Sequence, residues 1–576
     1  MDERAGQDFT IDNPATAILR EDERKIAYFS MEIGIDSRIA TYSGGLGVLA
    51  ADTIRSCADL GVPMVAVTLL TKKGYFRQKI DAEGKQEELP DEWNPGEFLK
   101  LLPARATVTI EGRPVVIQAW MYTVRGVAGH VLPVIFLDAD VPENSGADRE
   151  LTYYLYGGDQ RYRLCQEVIL GIGGLSMLRE LGYGSLVRYH MNEGHSSLLV
   201  LRLLTEAKLD NDPAWDIHGV KKQCVFTTHT PVPAGMDQFP YDLVQRVLGG
   251  YVPLDLLKQI GGKDALNMTL LALNLSHYHN GVAKQHGKVS REMFPGYHID
   301  SITNGVHSAT WVCGSFKSLF DAYIPGWERE SFSLRYALSI PKDEIWAAHQ
   351  EAKDRLISYV NGQTDAGLDS RTMTIGFARR ATAYKRADLI FHDTAKLIEI
   401  SKGAGPIQLV FGGKAHPHDW PGKELIKKIV DLSKWLKNDI KVVYLENYDI
   451  ELAKLLVSGV DLWLNTPRKP MEASGTSGMK TAHNGVPSIS ILDGWWIEGC
   501  IEGITGWAVG QAREEAGSDA EHAQSLYGKL EYVIIPMYYH ERDDWIDIMR
   551  NAIGINSSFF NTHRMVLEYS LKAYSG

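Results

Sequence analysis

The sequence predicts an α/β protein with two doubly wound parallel sheets facing a cleft. Three observations carry that expectation. Short runs rich in Val, Ile and aromatic residues alternate with amphipathic helical stretches in both halves of the chain. Several of those runs are apolar without alternation, as strands covered on both faces should be. The chain has 576 residues, ample for two large lobes, each with its own core.

In the first half the strand candidates are KIAYFSMEI (25–33), PMVAVTLL (63–70), VLPVIFLDA (131–139), LVRYHMNE (186–193), KQCVFTTH (222–229) and the approach to SITNG (301–305). Their β-branched and aromatic content suits strands, and several end in small or polar residues. Between the first two, Leu46, Leu49, Ala50, Ile54, Cys57 and Ala58 recur at helical spacing, and the helix stops at Gly61 with Pro63 just beyond. The join is expected near 305–320. A helical bridge follows, EIWAAHQEAKDRLISYVNG, and then a polar loop, GQTDAGLDS. In the second half the strand candidates are 372–378, 407–413, 440–447, 461–466 and 487–492, and Leu425, Ile429, Leu432 and Leu436 form one helix face between the second and third. The tail reads as helical around Met549–Ile553 and Met565–Leu571. The expected units are 1–310, 311–545, and a C-terminal helical segment, 546–576, packing back on the first. Ligands of open α/β sheets bind beyond the carboxyl ends of the strands. The chemistry is therefore expected in the loops that follow them.

A hydrophobic fraction of 44% and a charged fraction of 23% exclude disordered, collagen-like and coiled-coil classes. The net charge of −12 argues against nucleic acid as a partner. Five scattered cysteines without a CxxC argue against a disulfide framework or zinc ribbon and read as buried thiols. The start, MDERAGQDFT, is acidic and lacks the apolar segment of a secretory signal. No apolar run approaches the roughly 20 residues that span a bilayer. These features lead us to expect a cytoplasmic protein without a membrane partner.

Five motifs stand out. In TYSGGLGVLAADT (41–53), Gly45, Gly47 and Ala50 fit G-x-G-x-x-A before a helix. A dinucleotide site, a plain helix-start turn and a loop approached by phosphate all remain open for it. YHMNEGH (189–195) offers Asn192, Glu193 and His195 as site residues. Metal ligation by His190 and His195 has poor spacing and no third ligand. The pairs His277 with His279 and His416 with His418 are no better, so no metal is expected. In TTHTPVPAG (227–235), His229 follows a strand and is either a site residue or a satisfied core histidine. GFARRATAYKR (376–386) gathers Arg379, Arg380, Lys385 and Arg386 at a strand end, which suggests an anion site. In PMEASGTSGMKTAHNGVPSISILDG (470–494), small residues expose backbone N–H groups as an anion nest, and Lys480 follows. A lysine for a Schiff base beside a phosphate nest is what pyridoxal phosphate needs. Ser477-Gly-Met-Lys480 also matches S-x-x-K, but the partner motifs of penicillin-recognising enzymes are absent. No G-x-x-x-x-G-K-S/T loop for nucleotide phosphates occurs.

Glu472-Ala-Ser-Gly-Thr-Ser-Gly-Met-Lys480, followed by Asn484-Gly and Leu492-Asp-Gly, resembles the cofactor segment of the α-glucan (glycogen, starch, maltodextrin) phosphorylases. Further matches follow in family order: Ser43-Gly-Gly-Leu-Gly47, Asn192-Glu-Gly-His195, His229-Thr, Thr303-Asn-Gly305, Trp311, Arg380 with Tyr384-Lys-Arg386, and Glu446-Asn-Tyr448. The resemblance implies two facing Rossmann-like domains of the glycosyltransferase-B type. It implies phosphorolysis of terminal α-1,4-glucosyl residues by inorganic phosphate, giving α-D-glucose 1-phosphate with retention. By match, Lys480 would carry the pyridoxal phosphate, with Thr476, Ser477 and Gly478 along its phosphate and Tyr448 and Trp311 beside it. Gly45, Arg380 and Lys385 would place the substrate phosphate. Asn304, Glu472, Ser474, Gly475, Tyr384 and His229 would hold the glucosyl unit, with His229 also counted among the catalytic residues beside Lys480, Arg380 and Lys385. The imine is an anchor in this family, and the cofactor phosphate does the acid–base work.

The chain departs from the longer animal and enteric members. It reaches its first family strand at Lys25, so their regulatory N-terminal region and allosteric control are not expected, and it resembles the short bacterial and archaeal type. Thr382 stands where those members often have a sugar-contacting His, Ala234 where they often have an acid, and Gly478 where they have Asn. The family also implies a dimer. The competing readings are a nucleotide-sugar-dependent α-glucan synthase of the same fold and a non-catalytic glucan-binding protein.

Overall fold

The structure, a computed structural model, describes residues 24–208, 214–232, 235–511 and 517–575. The N-terminal decapeptide and Ala234 lie outside the described residues.

Two large sheets dominate the fold. The strands of the first are β1 (Ile26–Ser30), β2 (Met64–Leu69), β3 (Lys100–Ile110), β4 (Arg113–Arg125), β5 (Val131–Asp138), β6 (Arg188–Asn192), β7 (Cys224–Thr227), β8 (Tyr278–Gly281) and β9 (Asp300–Ser301). They lie in the order β9-β8-β7-β6-β1-β2-β5-β4-β3. All pairs from β9 to β5 are parallel, and β4 and β3 close the edge antiparallel. The second sheet contains β10 (Met373–Ala378), β11 (Ile407–Gly412), β12 (Lys441–Leu445), β13 (Leu462–Asn465), β14 (Ser488–Ile491) and β15 (Gly506–Val509). It is parallel throughout, in the order β12-β11-β10-β13-β14-β15. Relabelled from its first strand that order is 3-2-1-4-5-6, the doubly wound arrangement.

The parallel strands match the apolar runs because both of their faces are covered. β2, β10 and β11 are buried at every position. The β3–β4 pair escaped sequence reading because it alternates instead. Inward residues such as Val108, Ile110, Val115 and Ile117 are interleaved with polar ones. The cue is Glu111-Gly112, both at positive φ (51° and 75°), which makes the two-residue hairpin turn that matches strand twist. β8 and β15, four residues each, also went unread.

Helix α1 (Gly45–Asp59) follows the glycine motif, and its end is set by Gly61 at φ 67°. The bridge forms helix α2 (Lys342–Gln363), and Leu425, Ile429 and Leu436 are buried on α3 (Trp420–Leu436). Asp419 caps α3 by accepting the Gly422 N–H at 2.9 Å. The tail forms α4 (Arg542–Asn551) and α5 (Thr562–Tyr569). α5 lies on α1, where Thr562 and Ser56 hydroxyls meet at 2.6 Å. Tyr574 meets His190 Nδ1 at 2.6 Å, and Tyr569 bonds both Thr227 and Asn280. A small antiparallel hairpin, Arg77–Ile80 with Gln86–Leu89, reaches from the first sheet to the second. Its Gln78 donates to the Gly413 carbonyl and accepts from Asn447 N–H, and its Gln86 exchanges hydrogen bonds with Ala415. Among the described residues all five cysteines are free, and no helix is long and apolar enough to cross a membrane.

Candidate active site

Loops beyond the carboxyl ends of both sheets converge on one cavity of about 870 Å³. After β1 comes the glycine loop. The buried Glu32 carboxylate accepts from the backbone N–H groups of Ser43 (2.6 Å) and Gly44 (3.2 Å) and from the Tyr156 hydroxyl (2.9 Å). That acid fixes the loop's path. A Cβ on Gly47 would stand 2.7 Å from Tyr42 Cβ and 2.8 Å from Glu32 Oε2, whereas one on Gly45 would meet nothing within 4 Å. The glycines therefore differ: Gly47 serves packing, and Gly45 leaves the cavity open. Gly47→Ala is expected to cost about 1–3 kcal/mol, and Gly45→Ala to stay within about 0.5 kcal/mol of the parent. Urea unfolding of the two variants checks the contrast.

The second sheet supplies the cations. Glu472 is gripped by Arg379 (2.8 and 2.9 Å) and by Lys385 Nζ (2.6 Å). Burial opposes ionisation of Glu472, but Arg379 and Lys385 outweigh it and hold the carboxyl down at about 2. Arg379 also reaches Asn465 at the end of β13. Asp493 accepts the Glu472 backbone N–H at 2.9 Å; its own carboxyl is pushed up to about 7 by burial, with Glu472 adding to the effect. Three further cations border the cavity and make no ion pair among the described residues. Arg380 Nη2 stands 3.3 Å from Ser43 Oγ, so the second sheet's arginine meets the first sheet's glycine loop. Lys414 Nζ donates to the Phe76 carbonyl at 2.9 Å, and burial lowers its pKa. Lys480 Nζ sits 4.0 Å from the centre of the Trp311 ring, and burial lowers it to about 8. Trp311 is itself fixed by donating to Asp52 at 2.7 Å. These three unpaired cations sit in a chain of net charge −12, so this cavity is suited to more than one negative charge.

The wall from the first sheet is polar. Glu193, held at φ 77°, accepts from its neighbour Gly194 N–H, from His229 N–H (2.7 Å) and from the Thr230 hydroxyl (2.9 Å). His229 donates through Nε2 to Asn192 Oδ1 at 2.7 Å, and burial lowers its pKa to about 3, so the ring is neutral. Asn304, Ser474, Tyr75 and His195 line the same cavity, and each carries a buried polar atom (Asn304 Oδ1, Ser474 Oγ, Tyr75 OH, His195 Nδ1) without a hydrogen-bond partner among the described residues. Such orphans are rare in native proteins. Four around one space suit a ligand rich in hydroxyl groups.

Of the residues named from sequence, Tyr384, Tyr448, Gly475, Thr476 and Ser477 also border the cavity. Gly478 does not. A Cβ there would come within 2.7 Å of the Trp495 ring and 2.9 Å of Ser488 Oγ, so its small size lets the turn pack on Trp495. Thr382 lies off the cavity, with its hydroxyl buried and unpartnered among the described residues. His190 belongs to the tyrosine cluster beneath the first sheet, whereas His195 borders the cavity. Sequence reading missed Glu32, Tyr75, Tyr156, Arg163 and Lys414, each an isolated residue outside the motifs.

The chain is similar to known proteins. A family model described as carbohydrate phosphorylase matches residues 35–112 and 252–505. The maltodextrin phosphorylase of Thermococcus litoralis is 40% identical over 96% of this chain and 71% of its own length. The glycogen phosphorylase of Mycobacterium bovis is 36% identical over 94% of this chain and 70% of its own. That of Aquifex aeolicus is 34% identical over 96% and 86%.

Proposed function

The chain belongs to the carbohydrate phosphorylase family, and on that premise we propose that it cleaves terminal α-1,4-glucosyl residues of an α-glucan with inorganic phosphate, releasing α-D-glucose 1-phosphate with retention. The reading includes two Rossmann-like domains of the glycosyltransferase-B type, 1–310 and 311–545, with 546–576 returning to the first. The observation that carries it is that one cavity is lined both by three cations without an ion pair among the described residues and by four side chains, Asn304, Ser474, Tyr75 and His195, that each keep a polar atom without a partner there. A phosphate needs the first set and a sugar the second.

The site also fits pyridoxal phosphate. Lys480 is a buried amine without an ion pair among the described residues, and its lowered pKa leaves a large neutral fraction near pH 8. In this reading Lys480 anchors the cofactor, Thr476 and Ser477 flank its phosphate, and Trp311 and Tyr448 wall it. When bound, that phosphate supplies a group with a second pKa near 6 that exchanges a proton around neutrality. Arg380 and Lys385 place the attacking phosphate beside Gly45. Two phosphates a few ångströms apart repel by roughly a few kcal/mol at intermediate dielectric, and the cations offset this. Asn304, Ser474, Gly475, Tyr384 and the His229 backbone orient the glucosyl ring, and Glu472 accepts from its hydroxyls. His229 stays neutral, so its ring donates to Asn192 and carries no charge into the sugar site.

Glucose 1-phosphate release from maltodextrin, measured with and without phosphate, tests the reading. Release should require phosphate, and the protein should carry cofactor absorbance in the near ultraviolet. A colourless protein that pyridoxal phosphate cannot activate would sink it. Activity that needs a nucleotide sugar would favour a synthase, and glucan binding without turnover a non-catalytic role. Arg380→Ala should keep the absorbance but raise the phosphate KM by at least about tenfold, the loss of one charge-assisted contact. Normal phosphate dependence in that variant would remove Arg380 from the phosphate site.

A further inference from the structure

We propose that Asp59, His307 and His563 form a binding site for one divalent transition-metal ion, of which Zn²⁺ is the natural occupant. The three residues come from the end of α1, the segment after Asn304 and the first turn of α5. Their ligand atoms lie within 4.8 Å of one another. Both imidazoles aim Nε2 at the same carboxylate oxygen, Asp59 Oδ2, His307 at 2.7 Å and His563 at 3.0 Å.

The outer atoms of the cluster are held as in metal sites, where the far ring nitrogen is fixed so that the near one faces the ion. His307 Nδ1 lies 2.7 Å from the Thr310 hydroxyl, and His563 Nδ1 lies 3.3 Å from that of Ser331. Asp59 Oδ1 accepts the Val127 backbone N–H at 2.8 Å. A tetrahedral ion with bonds of about 2.0–2.1 Å sets its ligand atoms roughly 3.3 Å apart. The two observed separations open to that by a few tenths of an ångström, within the reach of side-chain rotation. The ion binds the tautomer in which each ring hydrogen sits on Nδ1, where it is donated to the Thr310 or Ser331 hydroxyl, and each Nε2 turns its lone pair to the ion. Two imidazoles and one carboxylate prefer Zn²⁺, Co²⁺ or Ni²⁺ to the hard cations Mg²⁺ and Ca²⁺.

None of the three residues borders the cavity, so the ion acts as a staple. It ties α5 to the helix that opens with the glycine loop. It also reaches the sugar side, because Arg564, next to His563, donates to the Asn304 carbonyl at 3.0 Å. Sequence spacing could not reveal the site, since Asp59 is 248 residues from His307 and 504 from His563.

The test uses the cofactor-loaded full chain, stripped with a chelator and titrated with Zn²⁺ by calorimetry and with Co²⁺ by visible absorption. The expected result is one ion per chain, a tetrahedral Co²⁺ spectrum displaced by Zn²⁺, and a higher melting temperature with Zn²⁺. Outer partners of metal ligands are worth about 10–100-fold in affinity, so loss of a direct ligand should cost at least about 100-fold. His563→Gln and His307→Gln are two independent variants for that measurement. No stoichiometric uptake by the parent protein, or uptake unchanged in both variants, overturns the proposal and leaves a metal-free hydrogen-bonded cluster.

Discussion

Lys480→Ala is expected to purify without cofactor absorbance and to lose phosphorolysis by about 10³-fold or more, equivalent to at least about 4 kcal/mol of transition-state stabilisation. The expectation rests on the amine's surroundings. Lys480 is buried against Trp311 and makes no ion pair among the described residues, and burial, outweighing the nearby Asp52 carboxylate, brings its pKa from 10.5 down to about 8. The neutral amine is the nucleophile that takes up an aldehyde. Reloading of the stripped wild-type enzyme should therefore accelerate as pH rises through about 8, well below the ordinary lysine range. The same shift affects stability. The folded value lies below the unfolded one, so between about 8 and 10.5 the unfolded chain binds more protons. This group alone makes the stripped protein gain stability as pH rises across that window. Lys480→Arg separates charge from chemistry: it keeps the cation but cannot condense with an aldehyde, and should be as colourless as the alanine variant. An alanine variant that stayed loaded and active would overturn the role of Lys480.

What could be read in advance follows from how locally the information is encoded. Most parallel strands were legible because burial on both faces leaves short continuous apolar runs, as in IQLVFGG at β11, whereas the four-residue β8 and β15 were too short to stand out. The long β3–β4 pair was not, because a half-exposed strand hides its apolar residues among polar ones. Lys480, Glu472, Arg380 and Lys385 were legible because each sits in a dense motif after a strand. Glu32, Tyr156 and Lys414 were not. Glu32 acquires its role only when the chain returns at Ser43 and Tyr156, 11 and 124 residues later. Asn447 shows a partial case: its motif was noticed, but its positive φ and its bonds to Gln78 belong to the hairpin that reaches across from the first sheet. Gly478 shows the converse, a residue within a legible motif whose reason is packing on Trp495.

Glu472→Gln is the second substitution expected to have a large effect, and it separates the electrostatics of the site from its shape. The carboxylate pairs with Arg379 and Lys385 at once, and all three groups are largely buried. Glutamine keeps the volume and one acceptor but leaves two cations facing each other without an anion. Removing one member of a buried charge cluster costs about 3–5 kcal/mol, so the urea midpoint should fall in phosphate-free buffer. Phosphate should restore much of the loss, because an anion that binds only the folded state stabilises it in proportion to its saturation. The pH dependence checks the origin of the effect. In the wild type the folded pKa of Glu472 is about 2, below the 4.5 of an unperturbed glutamate. Its contribution is therefore fully present above about 4.5 and is lost as pH falls through about 2, a span worth roughly 3 kcal/mol. The variant lacks this titration, so the stability gap between the two proteins should narrow across that interval. A gap that is independent of both pH and phosphate would mean that Glu472 acts through its shape alone. The cations would then owe their placement to Asn465 and the β10 strand end rather than to the carboxylate.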